Sequence, residues 1–360
     1  MRITASAPGK VFLLGEYAVL EGAPALVAAV DRRVVVTVES MSGPTCALDA
    51  PDIWPERVQF THDARGVVRW QVPQAGSRLG IVDAVLAALG RCGWLPSAPW
   101  RVRLDSSAFF DHPGGAHHKL GLGSSAAVTV ALASALAAYT GQIEATRDLP
   151  VWLDELLRIH RSFQGGRGSG FDVATALYGG EIVFLPNSAT PRVERVIWPP
   201  ALRRLYVWSG HSASTTGFLQ TLEVWRKAAP AAYAQHFAAL SGAAESGRAA
   251  LQRQDAGALQ AAVAAMGTAL RAFSRASKIP AFSADHEAIC SIVEAAGGVY
   301  KPCGAGGGDL GLAVVQGDSA AARIAAALDS AGYPCVHLAT DPAGLVIEPE
   351  RRRAQEEIRT

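Results

Sequence analysis

The sequence lacks an excess of charge of either sign. Among its 360 residues, 33 lysines and arginines stand against 32 aspartates and glutamates, which leaves a net charge of +1. Proteins that bind nucleic acid or an anionic membrane through their overall charge are usually strongly basic. We therefore expect neither nucleic acid nor a membrane as a partner, and local loops and single side chains must hold any anion that the protein binds.

The sequence is also poor in cysteine. Its five cysteines are Cys46, Cys92, Cys290, Cys303 and Cys335. Because this number is odd and no CxxC pair occurs, neither a disulfide framework nor a zinc site is indicated. Residues Met1 to Ala7 lack the basic segment and apolar run of a secretory signal, and no uncharged apolar run is long enough to cross a bilayer. We therefore expect a cytoplasmic protein.

The length and the composition indicate a globular protein of more than one domain. Hydrophobic residues make up 49% of the chain and charged residues 18%, which is typical of a folded protein. A chain of this length usually divides into two cores. Four prolines between Pro186 and Pro200 mark the expected boundary. The expected units are residues 1–190, residues 191–350 and a charged tail, residues 351–360.

Patterns of apolar residues predict strands and helices in both halves, and hence an α+β fold. High alanine content and helical spacing predict helices over Ala126–Tyr139 and Trp152–Phe163. A further helix is expected over Asp172–Tyr178, after a glycine-rich loop. The valine-rich segment Arg33–Val38 predicts a strand, whereas Glu16–Leu20 is expected to form a turn or a short strand.

The strongest local signal is a loop rich in glycine and serine, Lys119-Leu-Gly-Leu-Gly-Ser-Ser-Ala-Ala127. Its glycines allow the backbone to approach a ligand closely. The helix that follows offers unpaired N–H groups and the positive end of its dipole, which together favour phosphate. The predicted phosphate contacts are Gly121, Leu122, Gly123, Ser124, Ser125 and Ala126. Ser125 is the preferred hydroxyl for a Mg²⁺ ion, which takes oxygen ligands.

Two known phosphate-binding motifs do not fit this loop. A Walker loop needs a lysine after its glycines, and a dinucleotide-binding fingerprint needs a third glycine where Ala126 stands. The simplest alternative is that Gly121–Ser125 is only a helix N-cap, since serine is a preferred N-cap residue and glycine-serine caps are common.

Two further glycine-rich segments lie downstream. The first, Gln164-Gly-Gly-Arg-Gly-Ser-Gly-Phe-Asp-Val-Ala174, ends with Asp172 between two apolar neighbours. This aspartate is either a partly desolvated functional carboxylate or a helix N-cap, where aspartate is also favoured. The second segment is Lys301-Pro-Cys-Gly-Ala-Gly-Gly-Gly-Asp309, which either brings main-chain N–H groups to an anion or forms a flexible turn.

Three segments, taken in chain order, resemble the motifs of the GHMP kinases, the family of galactokinase, homoserine kinase, mevalonate kinase and phosphomevalonate kinase. They are Pro8-Gly-Lys-Val-Phe-Leu-Leu-Gly-Glu-Tyr-Ala-Val19, Gly121–Ala127 and Lys301–Asp309. The resemblance implies two α+β domains with the active site in the cleft between them. It also implies transfer of a phosphoryl group from ATP to a small molecule with the help of Mg²⁺.

Within the family, the segment Gln164–Ala174 resembles that of the phosphomevalonate kinases, which implies phosphomevalonate as the acceptor. Mevalonate kinases tend to have His-Gly-x-Pro-Ser-Gly-Ile-Asp-Asn here, and a magnesium-binding glutamate on the preceding helix where Arg161 stands. Gly166 and Leu310 depart from the lysine and the cysteine that are frequent at these positions. The alternatives are a mevalonate kinase or another GHMP kinase, a decarboxylase of the same fold, and a non-catalytic nucleotide-binding protein.

The resemblance also implies roles for single residues. Asp172 would accept or orient the proton of the acceptor, and Lys10 would hold Asp172 ionised and offset charge on the acceptor oxygen. The expected acceptor contacts are Lys10, Ser169, Gly170, Ser214, Arg167, Gly304, Ala305 and Gly306. Arg161, Lys119, Lys301 and His211 were considered as further cationic contacts. A monomer or a homodimer is expected.

Overall fold

The computed structural model describes residues 1–111, 118–166, 168–186, 191–212 and 217–349. The strands are β1 (Arg2–Leu14), β2 (Ala25–Ser40), β3 (Cys46–Ala50), β4 (Trp54–His62), β5 (Val68–Trp70), β6 (Trp100–Asp105), β7 (Phe110–Asp111), β8 (His118–Lys119), β9 (Glu181–Leu185), β10 (Arg192–Val196), β11 (Leu202–Trp208), β12 (Val299–Pro302), β13 (Leu310–Gln316), β14 (Cys335–Val336) and β15 (Val346–Pro349). The helices are α1 (Pro73–Arg78), α2 (Gly80–Arg91), α3 (Ser124–Tyr139), α4 (Leu149–Phe163), α5 (Phe171–Tyr178), α6 (Phe218–Ala228), α7 (Pro230–Gln252), α8 (Ala256–Ser277), α9 (Ala284–Ala295) and α10 (Asp318–Ser330).

A nine-stranded sheet forms the first layer. Its order is β10-β9-β2-β6-β3-β4-β5, and β1 pairs with β2 and with β15. The long antiparallel pair of β1 and β2 is the spine of this sheet. Helix α3 packs against both strands, and its residues from Ala126 to Ala138 are all buried. Because most of these side chains are small, the helix lies close to the sheet, which fixes the loop at its N-terminus over β1.

A second, four-stranded sheet has the order β12-β13-β11-β14. Helices α8 and α9 pack on β12, and α10 packs on β11 and β13. Helix α8 also contacts β1 of the first sheet. The glycine-rich segment that connects β12 to β13 therefore lies where the two sheets approach each other.

The expected α+β fold is confirmed, but the two sheets do not divide cleanly at residue 190. Strands β10 and β15 both follow that position, and both belong to the first sheet, through β9 and β1. The chain therefore returns to the first sheet at its end. The division at residue 190 itself stays a prediction, since residues 187–190 lie outside the described residues, as does the charged tail 351–360.

The elements near the glycine-rich loops follow the sequence patterns closely. Helices α3, α4 and α5 cover the three segments for which helices were predicted, and Arg33–Val38 lies within β2. Residues Ala18–Glu21 form a short 3₁₀ helix where a turn or strand was expected, and Tyr17 precedes it with φ of 60°. None of the helices in the described part of the chain combines the length and the apolar character that spanning a bilayer requires.

Candidate functional site

A cavity of about 130 Å³ is lined by Lys10 and by two glycine-rich loops, one on either side of this lysine. Its lining residues are Lys10, Val11, Phe12, Leu120, Gly121, Leu122, Cys303, Gly304, Ala305, Asp309 and Leu310. The fold thus brings together segments that are far apart in the sequence, one from each of the three motifs.

The first loop presents unpaired main-chain donors. Within the described residues, the N–H groups from Gly121 to Ser125 have no hydrogen-bond acceptor. The N-cap residue of α3 is Gly123, in the left-handed conformation with φ of 76° and without a side-chain cap. The helix N-cap therefore lies within Gly121–Ser125, as the simpler interpretation expects, but the capping residue is a glycine, which has no side chain to satisfy the N–H groups of the first turn. Ser124 and Ser125 stand in the first turn of the helix, where N–H groups have no partner inside the helix.

The second loop offers a similar row of donors. In the part of the chain that the structure describes, the N–H groups from Gly304 to Gly308 also lack a hydrogen-bond acceptor. Tyr17 fixes this loop to the first motif, since its hydroxyl donates to the Ala305 carbonyl at 2.6 Å. Gly306 lies so close to the Ala281 carbonyl that a Cβ atom would stand 1.9 Å from it. The loop is therefore held in place and is not a loose turn.

Lys10 lies between the two rows of donors. Its main-chain N–H donates to Leu122 O at 2.8 Å, and its Nζ donates to Gly121 O at 3.1 Å. A Cβ atom at Gly123 would stand 3.1 Å from Lys10 Cε and 3.2 Å from its Cγ, so a glycine there leaves room for the lysine. Burial lowers the pKa of Lys10, and the nearby carboxylate of Asp172 opposes this shift.

Asp172 stands in the first turn of α5, next to Lys10. Its Oδ1 accepts the N–H of Val173 at 2.9 Å, but the N-cap residue of α5 is Gly170, with φ of 91°. Asp172 is therefore not the capping residue that the alternative interpretation required. The carboxylate is only partly buried, so it remains accessible from the cleft.

His160 was not identified from the sequence. It is buried on α4, and its Nε2 lies 3.2 Å from Ser125 Oγ. Burial lowers the pKa of His160, and the charge of Asp172 opposes this shift. A neutral imidazole with its proton on Nδ1 accepts a hydrogen bond from the serine hydroxyl through Nε2, which leaves the lone pairs of Ser125 Oγ free. The sequence feature that could have indicated His160 is its position four residues after Leu156, which places it on the apolar face of α4.

A larger cavity, of about 1040 Å³, lies beside α6. Ser169, one of the predicted acceptor contacts, lines it together with Arg161. Arg226 and Lys227 line it as well, and these two cations were missed because a basic pair in the last turn of an amphipathic helix is usually only solvated. Two further predicted acceptor contacts, Arg167 and Ser214, lie outside the described residues.

A third cavity, of about 340 Å³, opens at the N-terminus of α3. Its apolar walls are Ile53, Ile81, Phe110, Val128 and Phe163, and its polar residues are Asp52, Arg78, Ser106, Lys119, Ser124 and Ser125. This cavity could not be predicted from the sequence, because its walls come from separate elements. An apolar slot that adjoins free N–H groups fits a flat ring system joined to phosphates.

Two of the cations considered for the acceptor have other partners. Lys301 is fully buried and donates a hydrogen bond to Glu16, so its assignment as an acceptor contact is wrong. His211 lies outside the cavity, with Nε2 2.9 Å from the Gly307 carbonyl. His211 therefore stabilises the second loop.

No metal site is built from protein ligands alone within the described ranges. No group of three or more histidine, cysteine, aspartate or glutamate side chains there is placed to hold a metal ion. A Mg²⁺ ion in this cleft would therefore depend on phosphate oxygens of a bound nucleotide and on water, as is common for this ion. Ser125 Oγ is the hydroxyl best placed to add one oxygen.

Comparisons with known proteins agree with this geometry. The sequence profile described as "GHMP kinases N terminal domain" matches residues 78–180. A phosphomevalonate kinase from Streptomyces sp. (strain CL190) is 32% identical over 351 residues, which cover 88% of this chain and 91% of that protein. A mevalonate kinase from Methanothermobacter thermautotrophicus is 33% identical over 194 residues, 53% of each chain.

A similar fold is found in a solved structure. The phosphomevalonate kinase of Streptococcus pneumoniae, in complex with phosphomevalonate and AMPPNP, superposes with a TM-score of 0.72 and 17% sequence identity, over 94% of this chain and 99% of that chain. At this identity the likeness establishes the fold. The sequence similarity to the Streptomyces protein extends over nearly the whole length of both chains. On the basis of this similarity and of the matching sequence profile, the chain belongs to the GHMP kinase family.

Proposed function

We propose that the protein transfers the terminal phosphoryl group of ATP to phosphomevalonate, with ADP and diphosphomevalonate as products. The observation that carries this proposal is the pair of unpaired N–H rows, Gly121 to Ser125 and Gly304 to Gly308, on either side of Lys10. Phosphoryl transfer depends mainly on positioning and on neutralising the charge of the phosphates, and this arrangement supplies both. The similarity to the Streptomyces phosphomevalonate kinase supports the choice of acceptor.

ATP would bind with its base in the 340 Å³ cavity and its phosphates at the N-terminus of α3. The apolar walls would cover the faces of the base. The free N–H groups from Gly121 to Ser125 would donate to phosphate oxygens, assisted by the helix dipole. Lys119, which is exposed at the rim of this cavity, adds a positive charge near the phosphates.

The residues around Ser125 fit a Mg²⁺ ion held jointly with the nucleotide. When bound, the ion would neutralise charge on the phosphates. With the proton of the neutral imidazole on Nδ1, His160 Nε2 would accept a hydrogen bond from the Ser125 hydroxyl and orient the lone pairs of Oγ away from the imidazole. His160 is thus a positioning residue for the proposed metal ligand.

The acceptor would lie between the 1040 Å³ cavity and Lys10. Phosphomevalonate carries a carboxylate and a phosphate, and the cavity offers Arg161, Arg226 and Lys227. Ser169, at the edge of the same cavity, is three residues from Asp172 and would guide the acceptor phosphate toward it. Gly170, which caps α5, shapes the chain between these two residues.

The roles of Lys10 and Asp172 follow from the chemistry of this acceptor. The attacking oxygen belongs to a phosphate monoester, whose second pKa is about 6, so it is mostly ionised at neutral pH. Asp172 would then take the remaining proton at lower pH and otherwise orient Lys10. Lys10, in turn, would offset the negative charge that accumulates between acceptor and ATP in the transition state. The oxygen of the acceptor forms the new bond to phosphorus as ADP leaves.

The test is ADP release by the purified protein with ATP and Mg²⁺, run in parallel with phosphomevalonate, with mevalonate and without an acceptor. We expect turnover with phosphomevalonate alone. Turnover with mevalonate would support the alternative of a mevalonate kinase. The similarity to the Methanothermobacter mevalonate kinase, which extends over about half of the chain, favours this alternative. If neither acceptor raises ADP release above background, the assignment of an isoprenoid acceptor is wrong, and the alternatives are another small-molecule kinase of the family or a non-catalytic nucleotide-binding member.

We further propose that this reaction takes place in the cytoplasm. All five cysteines have free thiols, as expected in a reducing compartment.

A further inference from the structure

A second buried histidine supports the other glycine-rich loop. His286, on α9, has no exposed surface. Its Nε2 lies 3.2 Å from the Gly308 carbonyl oxygen, and its Nδ1 lies 2.7 Å from the Tyr300 hydroxyl. Both ring nitrogens therefore have a partner, and one of these partners belongs to the loop that lines the cleft.

These partners fix the tautomer of His286. A carbonyl oxygen only accepts hydrogen bonds, so the proton lies on Nε2 and is donated to Gly308 O. Nδ1 then has a lone pair, and the Tyr300 hydroxyl must donate to it. Burial keeps the imidazole neutral and lowers its pKa to about 4. The hydrogen bond to Gly308 and the charge of Asp285 oppose this shift of the pKa, and His211 and Lys301 add to it.

The loop is also held from the other side. His211 Nε2 contacts the Gly307 carbonyl at 2.9 Å, and the main-chain N–H of Asp309 donates to the His211 carbonyl at 2.9 Å. The carbonyls of Gly307 and Gly308 are thus each bound by a histidine. Because C=O and N–H point in opposite directions across a trans peptide, fixing the Gly307 carbonyl also fixes the direction of the free Gly308 N–H.

We propose that His286 is a positioning residue of the phosphoryl-transfer site: with Tyr300 as its hydrogen-bond donor, it holds the Gly308 carbonyl and so fixes the end of the loop whose free N–H groups, from Gly304 to Gly308, would bind phosphate. This inference rests on the proposed function and assigns a role to a residue that touches neither substrate. An apolar side chain would fill the same space without the cost of burying a polar ring. The polarity of His286 is needed only for its two hydrogen bonds.

The kinetic test compares three substitutions in the full-length protein. His286→Gln keeps an N–H donor near the Nε2 position, His286→Asn keeps a polar group only near Nδ1, and His286→Leu keeps neither. We expect kcat with phosphomevalonate to fall about 10²-fold in His286→Leu and in His286→Asn, since small misplacements cost about this much. His286→Gln should retain most of kcat. In all three variants, KM for ATP should stay within a few-fold of the value for the unsubstituted protein.

The matched control is His62→Gln, which alters a histidine that accepts a hydrogen bond from the Trp100 indole in the first sheet. It should leave kcat unchanged. If the three His286 variants keep the kcat of the unsubstituted protein, or lose kcat in one common proportion to their melting temperatures, His286 is only a packing residue and the proposal is wrong.

A spectroscopic test does not depend on turnover. ¹⁵N spectra of the unsubstituted protein should show the Nε2–H tautomer of His286, and Tyr300→Phe should disturb it. ADP with Mg²⁺ should shift the amide signals of Gly304 to Gly308, and this shift should be lost in His286→Asn. If these amides do not respond to ADP with Mg²⁺ in the unsubstituted protein, the proposal is wrong even where turnover is observed. If they respond but no acceptor is phosphorylated, the positioning role stands and the proposed acceptor fails.

Discussion

Lys301 and Glu16 form an ion pair in which neither side chain has any exposed surface. Glu16 follows β1, and Lys301 lies in β12, so the pair joins the first sheet to the second. The Lys301 ammonium also donates to Pro302 O at 2.9 Å and to Phe12 O at 3.3 Å. Among the described atoms, Glu16 Oε2 has no hydrogen-bond partner. The pair therefore ties the glycine-rich loop after β12 to the first motif at a considerable cost in desolvation.

Replacing Lys301 by methionine should lower the free energy of unfolding by about 3–5 kcal/mol, because the Glu16 charge is left buried without a partner. Adding Glu16→Gln to this variant should recover part of the loss. Urea denaturation measures both. The control Lys227→Met, which breaks an exposed pair with Glu223, should cost less than about 1 kcal/mol. Equal losses in the two single variants would contradict the buried role.

Asp172→Asn should lower kcat by about 10²–10⁴-fold, the usual range for an acid–base group, with little change in melting temperature. The reason is that the amide can neither take a proton nor compensate the charge of Lys10. Steady-state kinetics with phosphomevalonate measures this effect. The matched control is Asp318→Asn, which removes an exposed carboxylate from the first turn of α10. If both variants retain full kcat, Asp172 has no catalytic role.

Lys10 should give the reaction an alkaline limit. Because burial lowers the pKa of Lys10 below its ordinary value of 10.5, its positive charge should be lost as the pH rises toward that value, and kcat/KM should fall there. In Lys10→Arg the residue stays charged, so the remaining activity should no longer fall in this range. Lys278→Arg is the control and should keep the decline. A decline that is identical in Lys10→Arg would show that another group titrates.

Gly123→Ala should remove activity for a reason other than backbone strain. Gly123 and Gly141 both have positive φ, 76° and 82°, but an added Cβ meets the Lys10 side chain at Gly123 and nothing within 4 Å at Gly141. Both alanine variants should lose about 1 kcal/mol of stability from the left-handed conformation. Only Gly123→Ala should lose kcat, since it displaces Lys10. Full activity in Gly123→Ala would contradict the close approach.

His286 should make stability depend on pH in mildly acidic solution. Its pKa is lowered to about 4 in the folded protein, against about 6.5 in the unfolded chain. Between these values the unfolded chain binds more protons, so the free energy of unfolding falls as the pH decreases from about 6.5 to about 4, by up to about 3 kcal/mol. Urea denaturation at several pH values measures this slope. In His286→Gln this loss of up to about 3 kcal/mol should be absent. An unchanged dependence of the free energy of unfolding on pH would contradict the assignment of this effect to His286.

Much of the local structure near the cleft could be predicted because its causes are local. The small apolar side chains after Ser125 predict a buried helix, and α3 forms there. Glycines at positions 121, 123, 304 and 306 were singled out, and each adopts a positive φ that other residues rarely take. The turn at Tyr17 was not predicted in this form. Its ring lies 4.5 Å from that of Phe273, a contact between segments far apart in the chain that no local pattern records.

Sequence patterns were sufficient to predict the α+β class, the glycine-rich loops and the family resemblance, because the spacing of apolar residues and the positions of glycines are local properties of the chain. The tertiary structure alone decided which polar side chains meet. Glu16 and Lys301 are separated by 285 positions, and Ser125 and His160 by 35. No local pattern specifies such partners, because burial and pairing depend on how strands and helices from distant segments pack together. This packing determined that Lys301 is a buried structural cation, whereas Lys10 faces the cleft between the two rows of free N–H groups.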